Sequence, residues 1–232
     1  MRKLAVFDID GTIFRSSMII ELVNLLVKKG IFPQRVNKEI EKDYSLWVIR
    51  QGDYRDYINK VVEVFKKEIG GKDEAVVKDA IREMVFKEKD KLYVFTRELL
   101  KKLKKENYFL LAISGSPDII VSQFAKALGF NAYYGSKYEI KNNKFTGKIL
   151  ADIVWNKSLV LDEFLSKHEE FKLEDAIGIG DTEIDISFLS RVGRPIVFNP
   201  DIQLAGYAKE NGWKIIIERK NAVYLVKDFD FV

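Results

Sequence analysis

One short apolar run, Leu4-Ala5-Val6-Phe7, is followed not by a partner strand but by a long stretch, Ser16 to about Lys91, whose apolar residues recur at helical spacing. Strand-length apolar runs return only after it, and from there they alternate with helical segments. A first strand isolated in this way can be buried only in a parallel sheet built mostly from residues far downstream. The expected fold is therefore α/β, a doubly wound parallel sheet with an inserted all-helical cap, the core in residues 1–14 and 92–232 and the cap in 15–91. An insert placed directly after the first strand lies over the carboxyl ends of the strands, where open α/β sheets take their ligands.

Punctuation within the insert predicts about four helices. N-caps are expected at Ser16 or Ser17, Asp53 and Asp73, a proline start at Pro33, and stops at Gly30, Gly52 and Gly70-Gly71. Beyond it the spacing predicts a helix Thr96–Glu106, a strand Phe109–Ile113, a helix Pro117–Leu128 and a strand Ala132–Tyr134. A hairpin of Lys137–Ile140 and Lys144–Lys148 should turn at Asn142-Asn143. Helix Lys157–Lys167, strand Ala176–Ile179, helix Ile184–Arg191, strand Pro195–Phe198, helix Asp201–Asn211 and strand Lys214–Ile217 complete the alternation.

Composition narrows the chemistry by exclusion. With no cysteine, disulfides, thiolate zinc sites, iron–sulfur clusters and cysteine nucleophiles are ruled out. The single histidine, His168, rules out a two-histidine metal motif, and its place at a helix end suits a solvated residue. Any hydrolytic chemistry must rest on carboxylates and oxygen ligands. The balance of 39 basic and 35 acidic side chains gives no polyanion-binding stripe, so no nucleic-acid partner is expected. The apolar run after Lys3 is too short for a signal-peptide core and no run approaches a membrane span, so the expectation is a soluble, cytoplasmic protein without a membrane partner.

Chemistry-bearing residues gather at the predicted strand ends. Asp8 and Asp10 follow the first strand two positions apart, on one side of an extended segment. Such close carboxylates repel, and they coexist when a cation lies between them or one is protonated. Read alone, the pair with Gly11 is also an ordinary Asp-rich turn. Ser114-Gly115-Ser116 leads into a helix opened by Pro117, which offers a hydroxyl and backbone N–H groups to a phosphate, or simply a cap. Gly180-Asp181-Thr182-Glu183-Ile184-Asp185 sets two more carboxylates four apart at a helix start, where Asp181 suits a metal and Asp185 suits support, or both merely complement the dipole. Lys157 opens another helix and by itself reads as a surface lysine. Trp47, Tyr54 and Tyr57 in the insert are weighted as core, with the substrate pocket as their other reading.

Taken together, Phe7-Asp8-Ile9-Asp10-Gly11-Thr12, then Ser114-Gly115-Ser116, then Lys157, then Gly180-Asp181 through Asp185 form an ordered set that resembles the haloacid dehalogenase superfamily over nearly the whole chain. The insert after the first motif, the Lys144-Phe145-Thr146-Gly147-Lys148 segment and Asn199-Pro200-Asp201 look like the branch that includes phosphoserine phosphatases. The resemblance implies a phosphomonoester hydrolase in which Asp8 is the nucleophile and forms an aspartyl-phosphate, and Asp10 protonates the leaving oxygen and then activates water. It implies magnesium, Mg2+, held by Asp8, Asp10 through its backbone carbonyl, and Asp181, with Asp185 supporting. Thr12, Ser114, Gly115 and Lys157 would bind the phosphoryl group. The partner would be a small phosphorylated metabolite. The same residues allow a phosphotransferase; a receiver-like phosphoacceptor would lack the insert. Oligomeric state is left open by the sequence.

At one position the chain departs from the family's pattern. Phosphoserine phosphatases carry an acidic residue nine positions after the nucleophile, and here Ser17 stands there, with Glu21 one turn on. Arg15, Arg50, Arg55 and Lys60 are unranked candidates for reading a substrate carboxylate. The departure implies that phosphoserine is a poor substrate and that another small ester, such as a sugar or polyol phosphate, is preferred.

Overall fold

The structure is a computed structural model and describes residues 3–227. Among them eight strands form one sheet: β1 (Leu4–Phe7), β2 (Phe109–Pro117), β3 (Ala132–Lys141), β4 (Lys144–Ala151), β5 (Ile177–Gly180), β6 (Arg194–Phe198), β7 (Lys214–Arg219) and β8 (Ala222–Val226), in the order β4-β3-β2-β1-β5-β6-β7-β8. The short first strand is central. It pairs in parallel with β2 on one side, Leu4 to Phe7 against Phe109 to Ala112, and with β5 on the other, Ala5 to Phe7 against Ile177 to Ile179. The chain runs outward from β1 through β2 and β3 to β4, then crosses back to β5 on the other side of β1, which puts the topological switch point at the carboxyl ends of β1 and β5.

Alternation along β1 divides the apolar interior. Ala5 and Phe7 join one core cluster, while Leu4 and Val6 join another on the opposite face with Phe164, Phe188 and Leu204. Four helices fill the insert, α1 (Met18–Lys28), α2 (Arg35–Val48), α3 (Tyr54–Ile69) and α4 (Glu74–Glu88). Their buried stripes, including Leu22, Leu26, Val61, Phe65 and Ile81, lie in the same cluster as Phe7 and Phe124. The insert therefore packs continuously onto one face of the sheet. Asp53 caps α3 by accepting the Arg55 N–H at 2.8 Å. Helices α5 (Val94–Lys105), α6 (Asp118–Ala127), α7 (Lys157–Leu165), α8 (Ile186–Leu189) and α9 (Ile202–Glu210) follow the strands in alternation. No helix among the described residues is long and apolar enough to cross a membrane.

Four local expectations change. The strand expected to stop at Ile113 runs to Pro117, with a register irregularity between Ile113 and Pro117, so Ser114 to Ser116 end a strand instead of opening a helix. The separate strands expected at Ala132–Tyr134 and Lys137–Ile140 are one strand, β3, parallel to β2 in its first half and antiparallel to β4 in its second. Gly135 permits that change of partner, since a Cβ there would lie 2.6 Å from the Asp118 Cα. Strand β8, absent from the sequence reading, pairs antiparallel with β7 as the sheet edge. His168 stacks on Phe164, ring centroids 4.4 Å apart, beside Phe109 and Phe171. The hairpin does turn at Asn142-Asn143, both at positive φ.

Candidate active site

Because β1 lies between β2 and β5, the residues that follow or end these three strands meet at one point. Asp8 leaves β1 and is anchored by its N–H to the Ile179 carbonyl of β5 at 2.9 Å. Lys157, the first residue of α7, is buried and reaches both Asp8 Oδ1 at 2.6 Å and Asp185 Oδ1 at 2.5 Å. Asp185 is fully buried, and its Oδ2 accepts the backbone N–H groups of Asp181 (3.0 Å) and Thr182 (3.1 Å), fixing the turn after β5. The Thr12 hydroxyl donates to Asp181 Oδ1 at 2.7 Å. Gly11 sits at φ +82° with its Cα against that carboxylate, and a Cβ there would be 2.2 Å from Asp181 Oδ2.

Asp10 points elsewhere. Its Oδ1 accepts the Met18 N–H at 2.6 Å, while its Oδ2 accepts the hydroxyls of Ser114 at 2.6 Å and Ser116 at 2.9 Å. The two hydroxyls come from the irregular end of β2, and the N–H from the first residue of α1. One carboxylate thus ties the sheet to the helical insert.

Asp8, Asp181 and Asp185 place oxygen atoms within 4.8 Å of one another. Set against the one Lys157 ammonium, three ionised carboxylates leave a buried excess of negative charge. Burial, opposed by Lys157 and aided by Asp185 and Asp10, pushes the Asp8 carboxyl up to about 7. Burial, with Asp8 and Asp185, also holds Asp181 well above the usual carboxylate range. Burial works against the Lys157 charge, but Asp185 and Asp8 outweigh it and raise the ammonium above the ordinary lysine value. Among the described residues, the buried Asp8 Oδ2 has no hydrogen-bond partner. A hard divalent cation fits this donor set: all oxygen, few carboxylates and an uncompensated charge.

Above the cluster opens a cavity of about 350 Å³. Asp8, Asp10, Gly115, Lys157 and Asp181 reach it, together with Ser116, which belongs to the second motif but was not among the expected phosphate ligands. Two expected phosphate ligands sit differently. Thr12 is fully buried with its hydroxyl committed to Asp181, and Ser114 is fully buried behind Gly115 with its hydroxyl on Asp10. Trp47 and Tyr54 line the cavity, whereas Tyr57 is buried behind them, so the aromatic residues divide between wall and core. Val154 and Trp155 also line it and were not foreseen, although a tryptophan in the loop just before Lys157 was the available signal. Of the arginines weighed from sequence, Arg15 and Arg55 reach the cavity. Arg55 on α3 pairs with Glu183 at 2.7 Å, joining the insert to the turn after β5.

Known proteins share the family pattern and the fold. Residues 5–190 match the family model described as haloacid dehalogenase-like hydrolase. A phosphoserine phosphatase of Methanocaldococcus jannaschii is 26% identical over 199 residues, which span 85% of each chain. Among solved structures, a protein of unknown function from Bordetella pertussis Tohama I matches with a TM-score of 0.75 at 17% identity, over 93% of this chain and 98% of that one. A phosphoserine phosphatase solved as a phospho-aspartyl intermediate analogue matches with a TM-score of 0.63 at 24% identity, over 95% of each chain. The family model covers most of the chain and the solved neighbours share its fold: the chain belongs to the haloacid dehalogenase-like hydrolase family and is phosphoserine phosphatase-like within it.

Proposed function

We propose that this chain is a magnesium-dependent phosphomonoester hydrolase that works through an aspartyl-phosphate on Asp8. The observation that carries the reading is the state of Asp8: Oδ1 is tied to Lys157, and Oδ2 is buried without a hydrogen-bond partner beneath an open cavity. That oxygen is the one left to meet phosphorus or a cation. Asp8 attacks phosphorus as the bond to the leaving oxygen breaks, and Asp10 gives that oxygen its proton. Asp10, now ionised, takes a proton from water as the water attacks the acyl phosphate; inorganic phosphate leaves and Asp8 is regenerated. Lys157, the Gly115 backbone and Ser114, which exchanges its Asp10 contact for a phosphoryl oxygen, hold the transferred group.

Asp8, Asp181, Asp185 and the Asp10 carbonyl are the groups that would hold magnesium, which supplies charge neutralisation between carboxylates and phosphate. The test is phosphate release from 4-nitrophenyl phosphate by the purified chain, before and after chelation. Release that is lost on chelation and restored by Mg2+ is expected. No release under any condition refutes the phosphatase, and undiminished release after exhaustive chelation refutes the metal. Adding glycerol and looking for glycerol phosphate among the products separates hydrolysis from phosphotransfer.

A further inference from the structure

We infer that the site selects phosphomonoesters whose leaving alcohol is an apolar group, aromatic or branched, that reaches the cavity wall without carrying an ammonium there; this deepens the hydrolase reading and rests on it. The cavity is two-sided in chemistry. Its floor holds all its carboxylates, Asp8, Asp10 and Asp181, with Lys157 among them. The insert contributes Ile19, Trp47, Tyr54, Ile58 and Val62 to the wall and the sheet domain Val154, Trp155 and Ile184, with Ser16, Ser17, Asn59 and Thr182 as its uncharged polar members.

The aromatic part of this wall is held in place. Trp47 and Tyr54 meet at 5.2 Å between ring centroids, and Trp47 stacks on the buried Tyr57 at 5.6 Å and 13°. Burial, then Asp10 and Asp181, push the Tyr54 phenol above its ordinary range, so it stays a neutral surface. Trp155, 64% exposed, stands at the cavity as a large apolar side chain that an apolar ligand would cover. A preformed apolar wall favours a leaving group that loses little on leaving water and disfavours one whose hydroxyls must give up theirs.

Charge selects in the same direction. The cations of the lining other than Lys157 are Arg55, engaged with Glu183, and Arg15, whose guanidinium lies 5.5 Å from the Tyr93 ring centroid. Among the described residues no carboxylate lines the cavity away from the floor, so a leaving group bearing an ammonium finds no partner there. The inference departs from the sequence-based expectation of a sugar or polyol phosphate and keeps the expectation that phosphoserine is a poor substrate.

The experiment compares kcat/KM for 2-phenylethyl phosphate, glycerol 3-phosphate and phosphoserine, all primary alkyl esters, with 4-nitrophenyl phosphate as the control for catalysis. Burying the phenyl group should favour 2-phenylethyl phosphate over the other two by roughly tenfold or more. Tyr54→Ser and Ile58→Ser should each lower that preference ratio severalfold, and should do so chiefly through KM. If 4-nitrophenyl phosphate is hydrolysed but the three alkyl esters react equally or in reverse order, this inference is overturned and the hydrolase reading stands. If no ester is hydrolysed with Mg2+ present, the hydrolase reading falls and takes the inference with it. A wild-type preference that both folded variants retain overturns the assignment of the wall.

Discussion

Asp8 carries two burdens that a single substitution separates. It is the proposed nucleophile, and it is also a buried carboxylate whose charge burial disfavours. Asp8→Asn should therefore lower kcat for 4-nitrophenyl phosphate by about a thousandfold or more, near 4 kcal/mol of transition-state stabilisation, while the folded state survives. Steady-state rates beside a circular-dichroism melt check this, and retention of more than a few per cent of activity, deamidation excluded, contradicts the nucleophile. Gly11 is constrained in another way, by a positive φ and by its approach to Asp181. Gly11→Ala should cost roughly 1–3 kcal/mol in backbone strain and displace the Asp181 carboxylate from Thr12. A magnesium titration of activity should then reach saturation at a higher concentration than in the wild type; an unchanged midpoint would show that the contact does not hold Asp181.

At the scale of elements, the ends are finished by distant residues. Helix α5 begins after Tyr93, which makes no side-chain cap; the N–H groups of Val94 and Phe95 instead meet the Glu218 carboxylate of β7 at 3.1 and 2.8 Å. Glu218→Ala removes the acceptor for two orphan donors, at a cost of about 1–2 kcal/mol, or roughly 2–8 °C in Tm for a chain of this size. Thermal unfolding measures it, and an unchanged Tm would mean that water replaces the cap without penalty. The end of β2 follows the same logic in the site, where its irregular last residues turn both Ser114 and Ser116 hydroxyls onto Asp10.

For the whole molecule the decisive quantity is the charge brought together where β1, β5 and α7 meet. Asp8 in the folded, metal-free protein holds its proton to about pH 7, above the ordinary aspartate value that it regains on unfolding. Between those limits the folded state binds more protons than the unfolded one, so stability should fall as pH rises from about 4 toward 7. Magnesium should flatten that slope. At a hundredfold excess over Kd it should add about 2.7 kcal/mol, on the order of 5–10 °C in Tm. Differential scanning of chelated and magnesium-loaded protein from pH 5 to 8 tests both expectations, and an identical pH slope in the two forms would count against a cation at this cluster. Manganese should replace magnesium in the activity assay and calcium should inhibit, because calcium prefers a looser, larger shell.

Local pattern accounts for most of the order of elements and for the chemistry available. The buried first run, helical insert and later alternation follow from local hydrophobic period, and the absence of cysteine with a single histidine left carboxylates to act. Asp8 and Asp181 could be singled out because they stand beside strand ends, which turn chemistry marks locally, whereas Lys157 stood out only through the ordered set of motifs. What a side chain meets across the fold is not local. Packing between distant segments puts Asp185 on Lys157, Thr12 on Asp181 and Ser116 beside Ser114 on Asp10. It likewise decides which aromatic residues of the insert line the cavity, because Trp47, Tyr54 and Tyr57 have the same apolar character in sequence and differ only in what packs behind them. Strand β8 escaped sequence reading for the same reason: it is a five-residue apolar run without alternation, and pairing with β7 is what makes it a strand.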